Sequence, residues 1–478
     1  MYSFTNVVLK SLLHYQIINA KIIVMKKNLR TAQKRTMRPV SIIAAAICSL
    51  LSVNAIAQAP PPTNPLVVNV LSTGATPNDG TNDTAAIQLA VSQVAGTGGT
   101  VLVPAGTYMV DALVSVNLGS NMTFKMESGA VLKAIPNDTG TYNMVTISGK
   151  TNINIVGGKL QGERHQHLTP GDFINHSPYG EWGMGIRIGS ASSHIYIDGV
   201  TVTECWGDGI YIGGSAVSTD ITILGVVCDD NRRQGCSITW ADGVLVKNSG
   251  FNNTVGTAPQ YGIDIEPNAG NYVKNVQILN SQFINNKSTG VGLHSAGNPE
   301  ISNITITGNT ISGSWRGISV YKSRSGITVS NNTLTNNSAL DGIIIEGSTS
   351  VNNTYSNNTI SVSPAITGDH AGIRIKDGAT GNTGTGNCIS GYPYTVKDEA
   401  GGNNIIGGAC NGATISVAPT SLATFGEVPT GTTSDEQSYT LTGINLTDNV
   451  TVTAPAGYEI STTSGSGFGS SKTVTQTE

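Results

Sequence analysis

The chain has 478 residues, room for one large domain and a small one. Only 12% of its residues are charged, about half of the roughly 25% usual in globular chains, and glycine (58 residues), asparagine and threonine fill the difference. That is a turn-rich, all-β composition. A net charge of −4 and a pI near 6.0 exclude a nucleic-acid binder, which needs a basic face, and no apolar run reaches the roughly 18 residues of a membrane span.

The N-terminus has the pattern of a secretory leader. Lys34, Arg35 and Arg38 precede an apolar run from Val40 to Val53, and Ala55-Ile56-Ala57 fits a small-x-small cleavage site, with Gln58 as the mature start. Met25 or Met37 serves as initiator on this reading, and residues 1–57 stand apart from the fold as leader and upstream extension. Loss of the leader removes Cys48 and leaves five cysteines. Cys388 and Cys410 flank the end of the repeats and can close the last coil as a disulfide. Cys205, Cys228 and Cys236 read as buried thiols, and no Cys/His spacing suggests zinc.

Val67 to Leu71 reads as a strand and Asp79 to Asp83 as a turn. Thr84 to Val94 follows as an amphipathic helix, with Ala86, Ile87, Ala90, Val91 and Val94 on one face. Gly98 to Tyr108 reads as a strand ending in a Pro/Gly turn. From Gln161 to Gly180 comes a polar stretch with His165, His167 and His176, an insertion of functional-loop length able to roof a cleft.

Then a phrase recurs every 24 to 30 residues: glycine, apolar, outward, apolar. It begins at Gly185, Gly209, Gly235, Gly262, Gly290, Gly317, Gly342 and Gly372. A repeat of that length with β-branched runs is a solenoid of β-coils, in which residues at one offset stack about 4.8 Å apart. The helix before it has a physical task, to cover the apolar layer exposed at a solenoid end. Past Cys410, short alternating strands and Gly/Pro/Ser turns predict a small β-sandwich over 411–478.

The run NDGTNDTAAIQLAV followed by GGTVLVPAGTY resembles the opening of the pectate-lyase superfamily of right-handed parallel β-helix proteins. That resemblance implies a right-handed parallel β-helix with an N-terminal capping helix over 58–410, and a polysaccharide as partner. The tail resembles the immunoglobulin-like modules of secreted bacterial proteins, here short of the usual length.

Because the first and third residues after each glycine are apolar and inward, the second and fourth must face out. The second gives Arg187, Tyr211, Ser237, Asp264, Gly292, Ser319, Ile344 and Arg374. The fourth gives Gly189, Gly213, Thr239, Glu266, His294, Tyr321, Glu346 and Lys376. Trp182, Trp206, Asp208, Arg232, Arg233 and Tyr261 lie just before the glycines. Aromatic rings beside carboxylates and arginines suit a sugar chain. Asp264 and Glu266, two apart on one strand, have the spacing for glycoside hydrolysis, with Asp208 on a neighbouring coil as a third acid. Trp182, Trp206, Tyr211, Arg232, Arg233, Tyr261, His294 and Arg187 are the substrate-binding candidates. No metal site is evident in the sequence; a calcium ion held by carboxylates is the one cofactor left open, and oligomeric state is left open too.

Tyr261-Gly262-Ile263-Asp264 also resembles the tyrosine–glycine–apolar–aspartate stretch of mannuronan C5-epimerases and related alginate lyases. In that family a proline, a histidine and an acid follow the aspartate; here Ile265, Glu266 and Pro267 do. The resemblance carries Tyr261 and Asp264 over and leaves His294, one coil on, as the substitute base. The sequence thus predicts a secreted polysaccharide-degrading hydrolase, with β-elimination or C5 epimerisation of a uronan, or non-catalytic glycan binding at a cell surface, as its alternatives.

Overall fold

The computed structural model describes residues 17–27, 60, 62–168, 180–295, 299–322, 325–410 and, with gaps, 414–475. The leader expected at 34–57 and His176 lie outside the described residues. Two compact units divide the chain, one over 54–409 and the other made of 1–53 and 410–478.

The larger unit is a parallel β-solenoid with three sheets running along it, of 13, 11 and 11 strands. Each strand pairs in parallel with its equivalent one coil away. All eight glycine phrases fall on one 11-stranded sheet, from Trp182–Gly189 through Tyr261–Ile265 to Ala371–Lys376. There Ile186, Ile210, Cys236, Ile263, Val291, Ile318, Ile343 and Ile373 stack in unbroken register and are fully buried. The second-position column, Arg187 through Asp264 to Arg374, keeps the same unbroken register, whereas the fourth pairs only at Gly189–Gly213 and from His294 to Lys376.

The glycine of the phrase is required by close approach. A Cβ on Gly235 would stand 2.5 Å from the carbonyl oxygen of Gly262, and one on Gly262 would stand 2.6 Å from that of Gly290. Asparagine has two separate roles at the bends. In one column Asn280, Asn331 and Asn357 adopt left-handed φ of 50°, 54° and 56°, interchanging with Gly308 and Gly386, as expected of the two residues that tolerate that region best. Beside it runs an inward amide ladder. The backbone N–H of Ser281, Asn309, Asn332 and Asn358 each donates to the side-chain oxygen one coil on, at 2.9–3.1 Å. Asn332 Nδ2 also donates to the Ile306 carbonyl at 2.8 Å.

The helix forms over Thr84–Val94, as read from the sequence, and buries Ile87, Ala90, Val91 and Val94 against the first coils. Asp83 at its start turns its carboxylate away, accepting from the backbone N–H groups of Thr76 (2.8 Å) and Met109 (3.1 Å). Cys205, Cys228 and Cys236 are free and buried, and Cys388 and Cys410 are both disulfide-bonded.

The smaller unit holds a four-stranded sheet and a two-stranded antiparallel sheet around Leu441, Ile460 and Val474. Ile17–Lys27, which the sequence reading set apart from the fold, pairs antiparallel with both Gln437–Ile444 and Tyr458–Ser461. Its β-branched residues, Ile17, Ile18, Ile22, Ile23 and Val24, suit a strand.

The amide ladder sets a stability test. Asn332→Ala leaves the Ile306 carbonyl and the Asn309 N–H without partners, and should cost about 2–4 kcal/mol in urea unfolding. An unchanged midpoint would show that the ladder adds nothing.

Candidate functional site

The glycine-phrase sheet forms the floor of a groove of about 370 Å³. Thr141, Asn143, Trp182, Met184 and Arg187 line one end. Tyr211, Arg233, Gln234, Ser237 and Thr239 line the middle, and Asp264, Glu266 and Asn268 the other end. Parallel pairing produces this convergence: Tyr211, Ser237 and Asp264 are direct cross-strand partners on successive coils.

Asp264 is 1% exposed. Its Oδ2 accepts from Gln234 Nε2 at 2.9 Å, and its Oδ1 has no donor from the protein. Burial pushes its carboxyl well above the usual range. The Glu266 charge adds to this, while Arg233 and the Gln234 hydrogen bond pull the other way. Glu266 is only half-buried; burial raises its pKa and Arg233 opposes the rise. The two carboxyls on one strand are thus held in unequal environments.

Asp208, expected as a third acid, is fully buried and absent from the groove lining. Arg233 Nη1 donates to both of its oxygens at 3.2 Å, and the Ser237 hydroxyl donates at 2.6 Å. Its carboxylate is spent on anchoring Arg233, so it acts as a support. Arg233 also faces Glu181, with Nε at 3.5 Å. Tyr211 and Arg187 line the groove as expected, the Tyr211 hydroxyl accepting from Thr239 at 3.0 Å.

Trp206 and Arg232 are corrected outright. Trp206 is 3% exposed and stacked on His167 at 3.6 Å between ring centroids, with the Arg232 guanidinium 3.8 Å over its ring. Arg232 in turn donates to the carbonyls of Trp206 and Gly180. His167 is held by Glu163 at 3.0 Å, and Glu163 accepts from Tyr142. Glu163 and His167, at the start of the inserted segment, lie over this column, so Trp206, although it precedes the phrase on the outward side, is buried beneath them. His165 binds Asp230 at 2.6 Å, next to the Arg164–Asp230 pair at 2.8 Å. Of the two paired tryptophans, Trp182 alone reaches the groove, 48% exposed.

Tyr261 is buried and lies beside the groove lining. Its hydroxyl is 3.4 Å from His294 Nε2, with the rings edge-on. Burial, then the Asp264 charge, raises Tyr261 to about 12. Burial, then Arg316, lowers His294 to about 4. At neutral pH His294 is an unprotonated base.

Sequence reasoning missed Gln234, although it stands directly before Gly235. The period of two that marks the outward columns makes that position a third one, carrying Asp208, Gln234, Tyr261, Thr289 and Arg316. Among the described residues no group of three or more His, Cys, Asp or Glu is placed to hold a metal ion, and no helix is long and apolar enough to cross a membrane.

The stacked column predicts a stability phenotype for a residue first read as a substrate contact. Trp206→Ala should cost about 3–5 kcal/mol, read as a lowered denaturant midpoint. A variant of wild-type stability with weakened glycan binding would return Trp206 to the groove.

Residues 165–334 and 242–411, together just over half of the chain, match the family described as right handed beta helix region. Residues 67–157 match the one described as rhamnogalacturonase A/epimerase, pectate lyase-like. The chain is 32% identical over 246 residues to the uncharacterized protein YclG of Bacillus subtilis, covering 45% of this chain and 41% of that one. It therefore spans well under half the length of that relative. Among solved structures it is similar to the A-module of Azotobacter vinelandii mannuronan C-5 epimerase AlgE4, with a TM-score of 0.54 and 19% identity over 71% of this chain and all of that one. It is also similar to PfbA, a surface adhesin of Streptococcus pneumoniae, with a TM-score of 0.52 and 16% identity over 71% and 90%. At those identities the likeness is one of fold. The chain belongs to the right-handed β-helix family.

Proposed function

We propose that this protein hydrolyses a polysaccharide laid along the groove, with Asp264 as general acid and Glu266 as the second carboxyl. The observation that carries the reading is the unequal pair on Tyr261–Ile265 and the residue just beyond it. Two carboxyls with Cβ atoms roughly 6.5–7 Å apart line one groove, and Asp264's pKa stands well above its ordinary value. Asp264 donates its proton to the glycosidic oxygen as the bond to C1 breaks. Glu266 either takes a proton from the attacking water or attacks C1 itself, as carboxyl separation dictates. Arg187, Tyr211 and Trp182 position the chain. Export by the leader expected before Gln58 would put this activity outside the cytoplasm.

A second reading is favoured by the Tyr261–His294 contact. A neutral imidazole beside a protonated phenol has the states needed to remove and return a C5 proton of a uronan. Its β-elimination product carries a double bond absorbing in the ultraviolet, whereas hydrolysis leaves only new reducing ends. The likeness in fold to a surface adhesin keeps a third outcome in the test, glycan binding with no turnover.

The full chain should be incubated with a panel of neutral and acidic polysaccharides, following reducing ends and ultraviolet absorbance together. Reducing ends without absorbance, lost in Asp264→Asn and Glu266→Gln, are expected. Absorbance rising with them would transfer the chemistry to Tyr261 and His294, and binding alone would make the groove an adhesive one.

The pH profile gives an independent check. kcat/KM should fall as pH rises through the raised Asp264 pKa, because the acid form is lost. It should also fall as pH drops through the less elevated Glu266 pKa, because the charged form is lost. Linkage has a matching sign. The folded state holds Asp264's proton more tightly than the unfolded chain, so stability is greatest below the unfolded value of about 3.9 and declines as pH rises toward the folded one. Asp264→Asn should therefore be inactive yet melt at a higher temperature than wild type at neutral pH.

A further inference from the structure

Gln234 is an uncharged residue in the middle of the groove, between its arginines and its carboxyls. It pairs across the sheet with Asp208 on one side and Tyr261 on the other, is 1% exposed and lines the groove. One end of its amide is used: Nε2 donates to Asp264 Oδ2 at 2.9 Å. The other end, Oε1, is buried with no donor from the protein. No neighbouring donor bonds to it. Ser237 gives its hydroxyl to Asp208 at 2.6 Å, Thr239 gives its own to Tyr211 at 3.0 Å, and Arg233 gives Nη1 to Asp208, while its Nε, 3.5 Å from Glu181, is buried without a hydrogen-bond partner. A buried acceptor without a donor costs about 1–3 kcal/mol, and such groups nearly always find a partner.

We infer that Gln234 reads the sugar: Nε2 holds Asp264 by Oδ2 so that the acid's proton stands on Oδ1, while Oε1 accepts a hydroxyl of the ring whose glycosidic oxygen that proton meets. This rests on the reading of the groove as a glycan site and names the contact that selects the glycan. An oxygen accepting from Nε2 is a poor place for the proton, which leaves Oδ1, the oxygen free of protein donors. Oε1 then asks for a donor. A hydroxyl supplies one, whereas a uronate carboxylate is repelled by Oε1 and by Glu266, and any carboxylate on the substrate turns toward Arg187. A cation there would face the guanidinium groups of Arg187 and Arg233, which line the same groove. A site built to hydrogen-bond a hydroxyl discriminates strongly against a ring that lacks it, because the buried acceptor is then left unpaired. One side chain thus ties the position of the acid to the identity of the sugar.

Crystals of the full chain soaked separately in D-galactose and D-galacturonate test the contact directly. A ring hydroxyl within hydrogen-bonding distance of Gln234 Oε1 is expected in at least one soak. A carboxylate at that atom, a metal ion there, or no sugar on it in either soak would overturn the inference. Gln234→Met, which keeps side-chain length and removes both polar ends, separates recognition from structure. KM on a substrate of the panel should rise at least tenfold. The alkaline limb of the pH profile should move up by about one unit, since the donor that favours charged Asp264 is gone. The groups facing Asp264 that remain, Glu266 and Tyr261 on its own segment and Arg233, Cys236 and Asp208 on earlier coils, are unchanged in that variant. A lower melting temperature with KM and pH limb unmoved would reduce Gln234 to a structural residue. A hydroxyl on Oε1 without turnover would sink the hydrolase and keep this contact; turnover with Oε1 unvisited would do the reverse.

Discussion

The constraint on which the groove depends is the closeness of one coil's glycine to the next coil's backbone. At Gly235 a Cβ would stand 2.5 Å from the Gly262 carbonyl, and at Gly262 2.6 Å from the Gly290 carbonyl. No Cβ fits such a gap, so each coil must place a glycine where the next coil's carbonyl comes closest. That fixes axial register on this sheet residue by residue. A slip by one residue would bring a side chain into the contact and would also turn every inward isoleucine to solvent. The stacked isoleucines and the amide ladder at the bends reinforce a register that the glycine column dictates.

Register is what allows acids to be buried at all. Asp208 and Asp264 lie two coils apart, and a carboxylate in either place is costly. The coil between them answers both: Arg233 and Ser237 satisfy Asp208, and Gln234 satisfies one oxygen of Asp264. Burial raises the pKa of both acids, but both oxygens of Asp208 are hydrogen-bonded, whereas Asp264 has one oxygen left over. The difference between a supporting acid and a reactive one is a difference in how many donors the middle coil provides.

Much of this was legible from the chain. The glycine phrase gave the architecture, the inward and outward columns, and the placing of Asp264, Glu266, Tyr211 and Arg187 around one groove. The helix over Thr84–Val94 was visible because its apolar face has the period of a helix amid residues that have none. Trp206 and Arg232 were misplaced for a reason that periodicity cannot reach. The repeat says that a column leaves the sheet, but not that His167, some forty residues earlier, returns to lie on it. Asp208 was misjudged because its exposure depends on Arg233 from the next coil. Gln234 was overlooked because an uncharged amide gives no sign of chemistry until the unpaired oxygen beside an acid is seen. Ile17–Lys27 was excluded because a leader pattern downstream of it argued against any fold upstream.

Asp264 is common to both chemistries the groove can support, and its two flanks differ in kind. Toward Glu266 it meets a second carboxyl, half-buried and more readily charged, which is the partner a glycosidic bond needs. Toward Tyr261 and His294 it meets a phenol that keeps its proton and an imidazole that lacks one at neutral pH, which is what a C5 proton needs. Glu266 lines the groove and His294 stands one coil beyond it. On the hydrolase reading, a sugar ring seated over Gln234 and Asp264 lies against the carboxyl pair, with the imidazole one coil further along. On that reading, the hydroxyl that Gln234 accepts fixes where the ring sits, so one contact would bear on both the sugar and the reaction.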